Sequence, residues 1–205
     1  VRIELSGVAK GRDGAALPAT SLELASGRLA LIEAETAERP TVLGLIATGR
    51  MRPDRGTVRI DGRADAARIR REVALVDAPS VSEPPPGVTL LAVATEELMF
   101  AGRPSTRAAA RRVLESLGAP GAADTRLADL HPATRVRILS ELALLRPGVQ
   151  GLVVVSPDRH GGEAARWHRA LAAIAERDVA VLAIIGRPAM SALTLRDTPA
   201  GRDAA

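Results

Sequence analysis

Residues 41–62 read TVLGLIATGRMRPDRGTVRIDG, and this stretch decides the fold. Its first eight residues form an apolar run of helical length, with Pro40 just ahead. Proline suits the first turn of a helix because the N–H it lacks would have no partner there. Gly49 is a fitting stop, since glycine readily takes the left-handed conformation that ends many helices. The turn Arg52-Pro53-Asp54-Arg55-Gly56 follows, then a strand over 57–60 and a second turn at Asp61-Gly62.

Upstream, residues 1–8 alternate apolar and polar side chains, as a half-buried strand does. A turn at Gly11, Asp13 and Gly14 leads to a second alternating strand over 17–24, closed by Ser26-Gly27. A short apolar strand over 28–32 then runs into a polar loop over 33–39. Downstream the pattern predicts a short helix over 66–71 and a strand over 73–76. Three consecutive prolines, Pro84 to Pro86, force a loop across 78–87. Helices are expected over 90–100, 106–117 and 133–145, the last ending at Arg146-Pro147-Gly148. A buried-type strand over 152–155, a helix over 163–177 and a strand over 179–185 complete the series. Residues 191–205 are polar and read as a loose tail. Antiparallel strands, a strand–loop–helix, a helical excursion and a closing strand–helix–strand together predict a mixed α/β core.

Composition narrows the function classes. The 205 residues are 46% hydrophobic and 25% charged, as in ordinary globular proteins. The absence of cysteine excludes disulfides, thiolate zinc sites and cysteine nucleophiles. No apolar run approaches the roughly 20 residues that span a bilayer, and Glu4 interrupts any leader-like opening. A cytoplasmic protein is expected, with any membrane role supplied by a partner. The pI is 10.9, yet the net charge is only +4 and the arginines are interleaved with acids. Phe100 and Trp167 are the only aromatics, so platforms for stacking bases are missing and nucleic-acid binding is disfavoured.

The order of these phrases resembles the ATP-binding domains of ABC (ATP-binding-cassette) transporters over about residues 1–190. Residues 41–62 carry the most specific likeness, because Pro53-Asp54, Gly56 and Asp61-Gly62 keep the family's pro-acid-x-gly and acid-gly turns. The phrase REVALVDAP (71–79) resembles the strand entering the segment that touches the membrane partner. LADLHPATRVRILSELALLRPGVQGLVVVSPD (127–158) resembles the signature helix and the strand that normally ends in Asp-Glu-Pro. The resemblance implies an α/β, P-loop NTPase-like core, an antiparallel β subdomain, and a helical subdomain inserted near residues 80–148.

Set against that resemblance, the catalytic motifs read as degenerate. A phosphate loop needs glycines, whose backbone N–H groups form an anion nest, and a lysine for the outer phosphates. The corresponding loop, Glu33 to Thr41, holds no glycine; Arg39 stands at the lysine position, Pro40 at the first hydroxyl position, and Thr41 alone is kept. No lysine follows Lys10, so this reading survives any shift of alignment. Glu33, Glu35 and Glu38 would repel a triphosphate. One like-charge pair at ~4 Å costs about 4 kcal/mol at an effective dielectric of ~20. A glutamate, Glu38 first, is expected at the helix N-terminus in place of the missing phosphate, with drift to plain surface charge as the alternative.

Val155 and Ser156 occupy the positions of the magnesium and water-activating acids, and Asp158 reads as a turn or capping residue. Gly186-Arg187 replaces the switch histidine, and Asp77-Ala78 the glutamine that senses the γ-phosphate. No aromatic lies near Gly11-Arg12 to stack on adenine. Leu130-His131-Pro132-Ala133-Thr134 keeps only the leucine of the signature and the Arg135 that follows it. His131 reads as a solvent-facing or capping residue and Trp167 as structural.

The leading expectation is an inactive cassette-like scaffold or regulator at the inner membrane face, needing no cofactor. The resemblance implies an integral membrane partner, received by Ala78, Val81, Glu83, Pro84, Pro85 and Pro86, and a possible second cassette as homodimer or heterodimer partner. Two alternatives stand beside it: a divergent ATPase using Arg39, Thr41 and Asp158 with ATP and magnesium, and a basic nucleic-acid-binding module.

Overall fold

Alternating side chains at the start of the chain build an antiparallel sheet. The computed structural model describes residues 1–35 and 39–197. Strands β1 (Arg2–Lys10), β2 (Leu17–Ala25) and β4 (Arg55–Ile60) pair in the order β2-β1-β4. Ile3 lies opposite Leu24 on one side and Ile60 on the other, so the apolar faces of the three strands coincide. Gly56, in the turn that opens β4, has φ +80°, and a Cβ there would lie 2.4 Å from the carbonyl carbon and oxygen of Gly7. Only glycine permits both this backbone region and this approach. Gly56→Ala is therefore expected to lower unfolding free energy by about 2–4 kcal/mol, from left-handed strain plus overpacking. Chemical denaturation measures this.

The other four strands, β3 (Leu29–Glu33), β5 (Val73–Val76), β6 (Gly151–Val155) and β7 (Ala180–Ile185), form a parallel sheet ordered β3-β7-β6-β5. All residues of β5, β6 and β7 are buried, as expected for strands covered on both faces. Alternate residues serve two cores. Val153, Val155, Leu182 and Ile184 pack with α1 (Arg39–Ala47), Ile69 and the antiparallel sheet, whereas Leu152, Val154, Val181 and Ala183 face the helices that carry Leu90, Leu114, Val136, Trp167 and Ala189. Helix α1 lies tight against the sheet at Gly44, where a Cβ would come within 2.8 Å of Val155.

The other helices are α2 (Ala66–Glu72), α3 (Leu90–Phe100), α4 (Arg107–Ser116), α5 (Pro132–Ala143), α6 (Ala164–Ala175) and α7 (Arg187–Asp197). The side chains of Asp65, Thr89 and Thr106 accept backbone N–H groups at the starts of α2, α3 and α4, which is why those helices begin where they do. Helices α3 to α5 form the insertion between β5 and β6, so the mixed α/β class with an antiparallel sheet and helical insertion holds. The loose tail expected from residue 191 needs correction up to residue 197. Those residues continue α7, with Leu193 only 7% exposed, because an apolar contact to the core outweighs their polar composition. Among the described residues no helix is long and apolar enough to cross a membrane.

Candidate functional site

Because β3, β5, β6 and β7 run parallel, the loops leaving them gather at one edge, the edge where open α/β sheets bind ligands. Glu33 ends β3 and Glu35 follows it; Glu38 lies outside the described residues. Both described glutamates are engaged by Arg187, which leaves β7 and opens α7. The Arg187 guanidinium Nε donates to Glu33 Oε1 at 3.1 Å, and its backbone N–H donates to Glu35 Oε1 at 2.9 Å. These carboxylates hold the Arg187 guanidinium above the ordinary arginine value, chiefly through the Glu33 hydrogen bond. Glu35 thus takes a backbone N–H at the start of α7, a position that favours an anion, while the expectation for Glu38 at the start of α1 lies outside the described residues.

Arg39 opens α1 with its Nε buried and unpartnered, Pro40 is buried and Thr41 partly buried. Glu33, Glu35, Arg39 and Arg187 border a cavity of about 170 Å³. That is below the roughly 300–1,000 Å³ of typical small-molecule sites.

The second feature of this edge joins residues far apart in sequence. Asp77 leaves β5 with φ +54°, and its side chain is 1% exposed. Arg135 of α5 grips it with two hydrogen bonds, Nε to Oδ2 at 3.0 Å and Nη2 to Oδ1 at 2.7 Å. His160 Nε2 lies 2.9 Å from Oδ2, and Arg159 Nη2 lies 3.2 Å from Oδ1. Glu83 adds a second carboxylate, 3.0 Å from Arg159. Burial pushes the Asp77 carboxyl up, but the bonds from His160 and Arg135 and the charges of Arg159 and Arg135 prevail and hold it well below the carboxylate range.

Asp77, Glu83 and His160 offer ligand atoms within 4.8 Å of one another, a spacing that suits a metal. Two guanidiniums already occupy these carboxylates, so an added cation meets like charge. The cluster is an ionic joint between core and helical insertion. Sequence reading flagged Asp77 and Arg135 separately and missed their union, since 58 residues separate them.

Other sequence-derived positions can be placed. Val155 is fully buried and Ser156 takes φ +47° at the strand exit. Asp158 lies in the short turn Pro157–His160 and accepts the Gly186 N–H at 3.1 Å, which ties the β6 exit to the β7 exit. His131 Nδ1 accepts the Ala133 N–H at the start of α5, the capping role expected of it. Of the proposed docking residues, Val81, Glu83, Pro85 and Pro86 are exposed and Pro84 is partly so. Ala78 is a correction: it is 0% exposed, its carbonyl accepting the N–H groups of Val81, Ser82 and Glu83, so it offers no surface. Trp167 is 1% exposed, and Phe100, 55% exposed, carries the Arg146 guanidinium over its ring at 5.3 Å.

No protein-family model and no curated protein sequence matches the chain. Solved structures do. A dimeric bacterial ABC transporter cassette superposes with TM-score 0.65 at 19% identity, over 89% of this chain and 87% of the other. A nucleotide-free ATP-binding cassette from an ABC transporter gives 0.63 at 17% identity, over 90% and 81%. A proposed ABC transporter ATP-binding protein from Pyrococcus furiosus gives 0.63 at 13% identity, over 91% and 92%. The chain has the ABC ATP-binding-cassette fold.

Proposed function

We propose that this chain is a catalytically silent cassette, acting as scaffold or regulator of a membrane complex rather than as an ATPase. The observation that supports it best is the Arg187 clasp on Glu33 and Glu35. A cassette ATPase would need open N–H groups and a lysine at this loop. Here two carboxylates are held beside it by the residue that replaces the switch histidine. The residues present do not fit a magnesium triphosphate: Val155 and Ser156 offer no carboxylate where the metal would need one, and Asp158 is tied to Gly186. Binding remains as the role such a fold retains. An integral membrane subunit is the partner we propose, seated against Val81 and Pro84 to Pro86, with the chain peripheral at the inner membrane face. Pairing with a second cassette is part of the same proposal, since one of the similar structures is dimeric.

Calorimetry with MgATP tests this reading. No saturable binding is expected up to millimolar nucleotide, whereas micromolar affinity would overturn the proposal. One observation favours residual nucleotide binding as a second reading, namely the unpartnered, buried Arg39 Nε beside the small cavity. In that case binding would appear and would be lost in Arg39→Gln.

A further inference from the structure

The largest cavity described lies away from the phosphate-loop edge, between the C-terminal end of α1, the turn into β4, and α2. Its volume is about 620 Å³, within the roughly 300–1,000 Å³ of small-molecule sites. Its floor is apolar, from the buried Ile46 and Ile69. Its walls carry four arginines: Arg50, Arg52, Arg55 and Arg70. The one acid lining it, Asp54, is already taken, because its carboxylate lies 2.6 Å from Lys10 Nζ and accepts the Gly11 N–H at 2.9 Å. The cavity therefore presents cations without counter-charge.

Two of these arginines are held in place by backbone. Arg50 Nη1 donates to the carbonyls of Thr48 and Val73 at 3.1 and 3.0 Å, and Arg70 Nη1 donates to the Gly49 carbonyl at 2.9 Å. Satisfying carbonyls at the ends of α1 and α2 is a sufficient reason for those bonds. It uses only Nη1 of each guanidinium, and an arginine has five N–H donors. It also leaves Arg52 and Arg55 unexplained, since neither side chain has a hydrogen bond or ion pair among the described residues. Crowding tells in the same direction: the Arg50 guanidinium is held below the ordinary arginine value by partial desolvation, then by the charges of Arg146 and Arg70.

We infer that this cavity binds a phosphate-bearing ligand, with Arg50 and Arg70 as fixed forks, Arg52 and Arg55 as closing cations, and the apolar floor against the ligand's uncharged part. Guanidinium donors match phosphate oxygens in paired geometry, and an anion relieves the repulsion among the four. The phosphate could belong to a soluble ester or to a lipid headgroup; the recognition chemistry is the same.

The test uses the full chain with two probes: sodium pyrophosphate by calorimetry, and flotation with vesicles of phosphatidylserine in phosphatidylcholine. Binding of at least one probe is expected, weakened at least ~10-fold in R52Q/R55Q through lost charge-assisted bonds. The control R107Q/R112Q, with the same charge change on exposed arginines of α4, should leave it nearly unchanged. Binding of pyrophosphate alone assigns a soluble phosphate compound, and binding of vesicles alone assigns a headgroup. No binding of either probe, or a loss in R52Q/R55Q no greater than in the control, overturns the inference. Nucleotide binding through Arg39 would survive R52Q/R55Q, so this test fails or succeeds independently of the proposed silent cassette.

Discussion

Asp77→Ala is expected to destabilise the protein by about 3–5 kcal/mol, the range for removing one partner of a buried ion pair. The substitution strands the Arg135 guanidinium, whose side chain is 4% exposed, with Glu83 at 3.8 Å as its nearest remaining carboxylate. Arg159 and His160 lose the same anion. Urea denaturation of the purified chain measures the effect, and a loss below ~1 kcal/mol would show that the joint is not structural. The double variant D77L/R135L should lose less than the sum of its single changes, because the two groups that must be desolvated leave together. The pH dependence follows from the direction of the Asp77 shift. Its carboxyl lies below the ordinary value of 3.8 in the folded chain, so its stabilisation is complete above that value and is lost as pH falls below it. Wild type and Asp77→Asn should therefore converge in stability only in that acid range.

Trp167 gives the second large effect. It is the largest fully buried side chain, 1% exposed on α6, and Trp167→Ala should cost about 3–5 kcal/mol by leaving a cavity. Trp167→Phe should cost far less. The indole Nε1 is buried without a hydrogen-bond partner, so phenylalanine removes an N–H that is desolvated and unrewarded. That relief, about 1–3 kcal/mol, offsets much of the lost ring volume. Equal losses in the two variants, read by thermal and urea unfolding, would mean that the N–H finds a partner in solution.

Most of the fold was legible in the sequence. Helix α3 falls where the apolar run after Thr89 places it, and β5 and β7 fall where short apolar runs end at turn residues, because local periodicity and capping chemistry act within a few residues. Residues 191–197 were misread for the complementary reason: their composition is polar, and the contact of Leu193 with the core is not a local property. The candidate site was legible only as residue types along the chain. The absence of lysine after Lys10 and the acids of the 33–39 loop are sequence facts. That Arg187 would clasp two of those acids was not readable, since Glu35 and Arg187 stand 152 residues apart.

Sequence by itself determined the order of elements, the antiparallel pairing of the first strands and the absence of lysine after Lys10, since each depends on residue types and on side chains close along the chain. Tertiary structure alone decided the clasp, the ionic joint on Asp77 and the arginine-lined cavity. Each of these depends on charges brought together from separate elements, and the strength of such contacts is set by distance and burial in space, which no local pattern encodes.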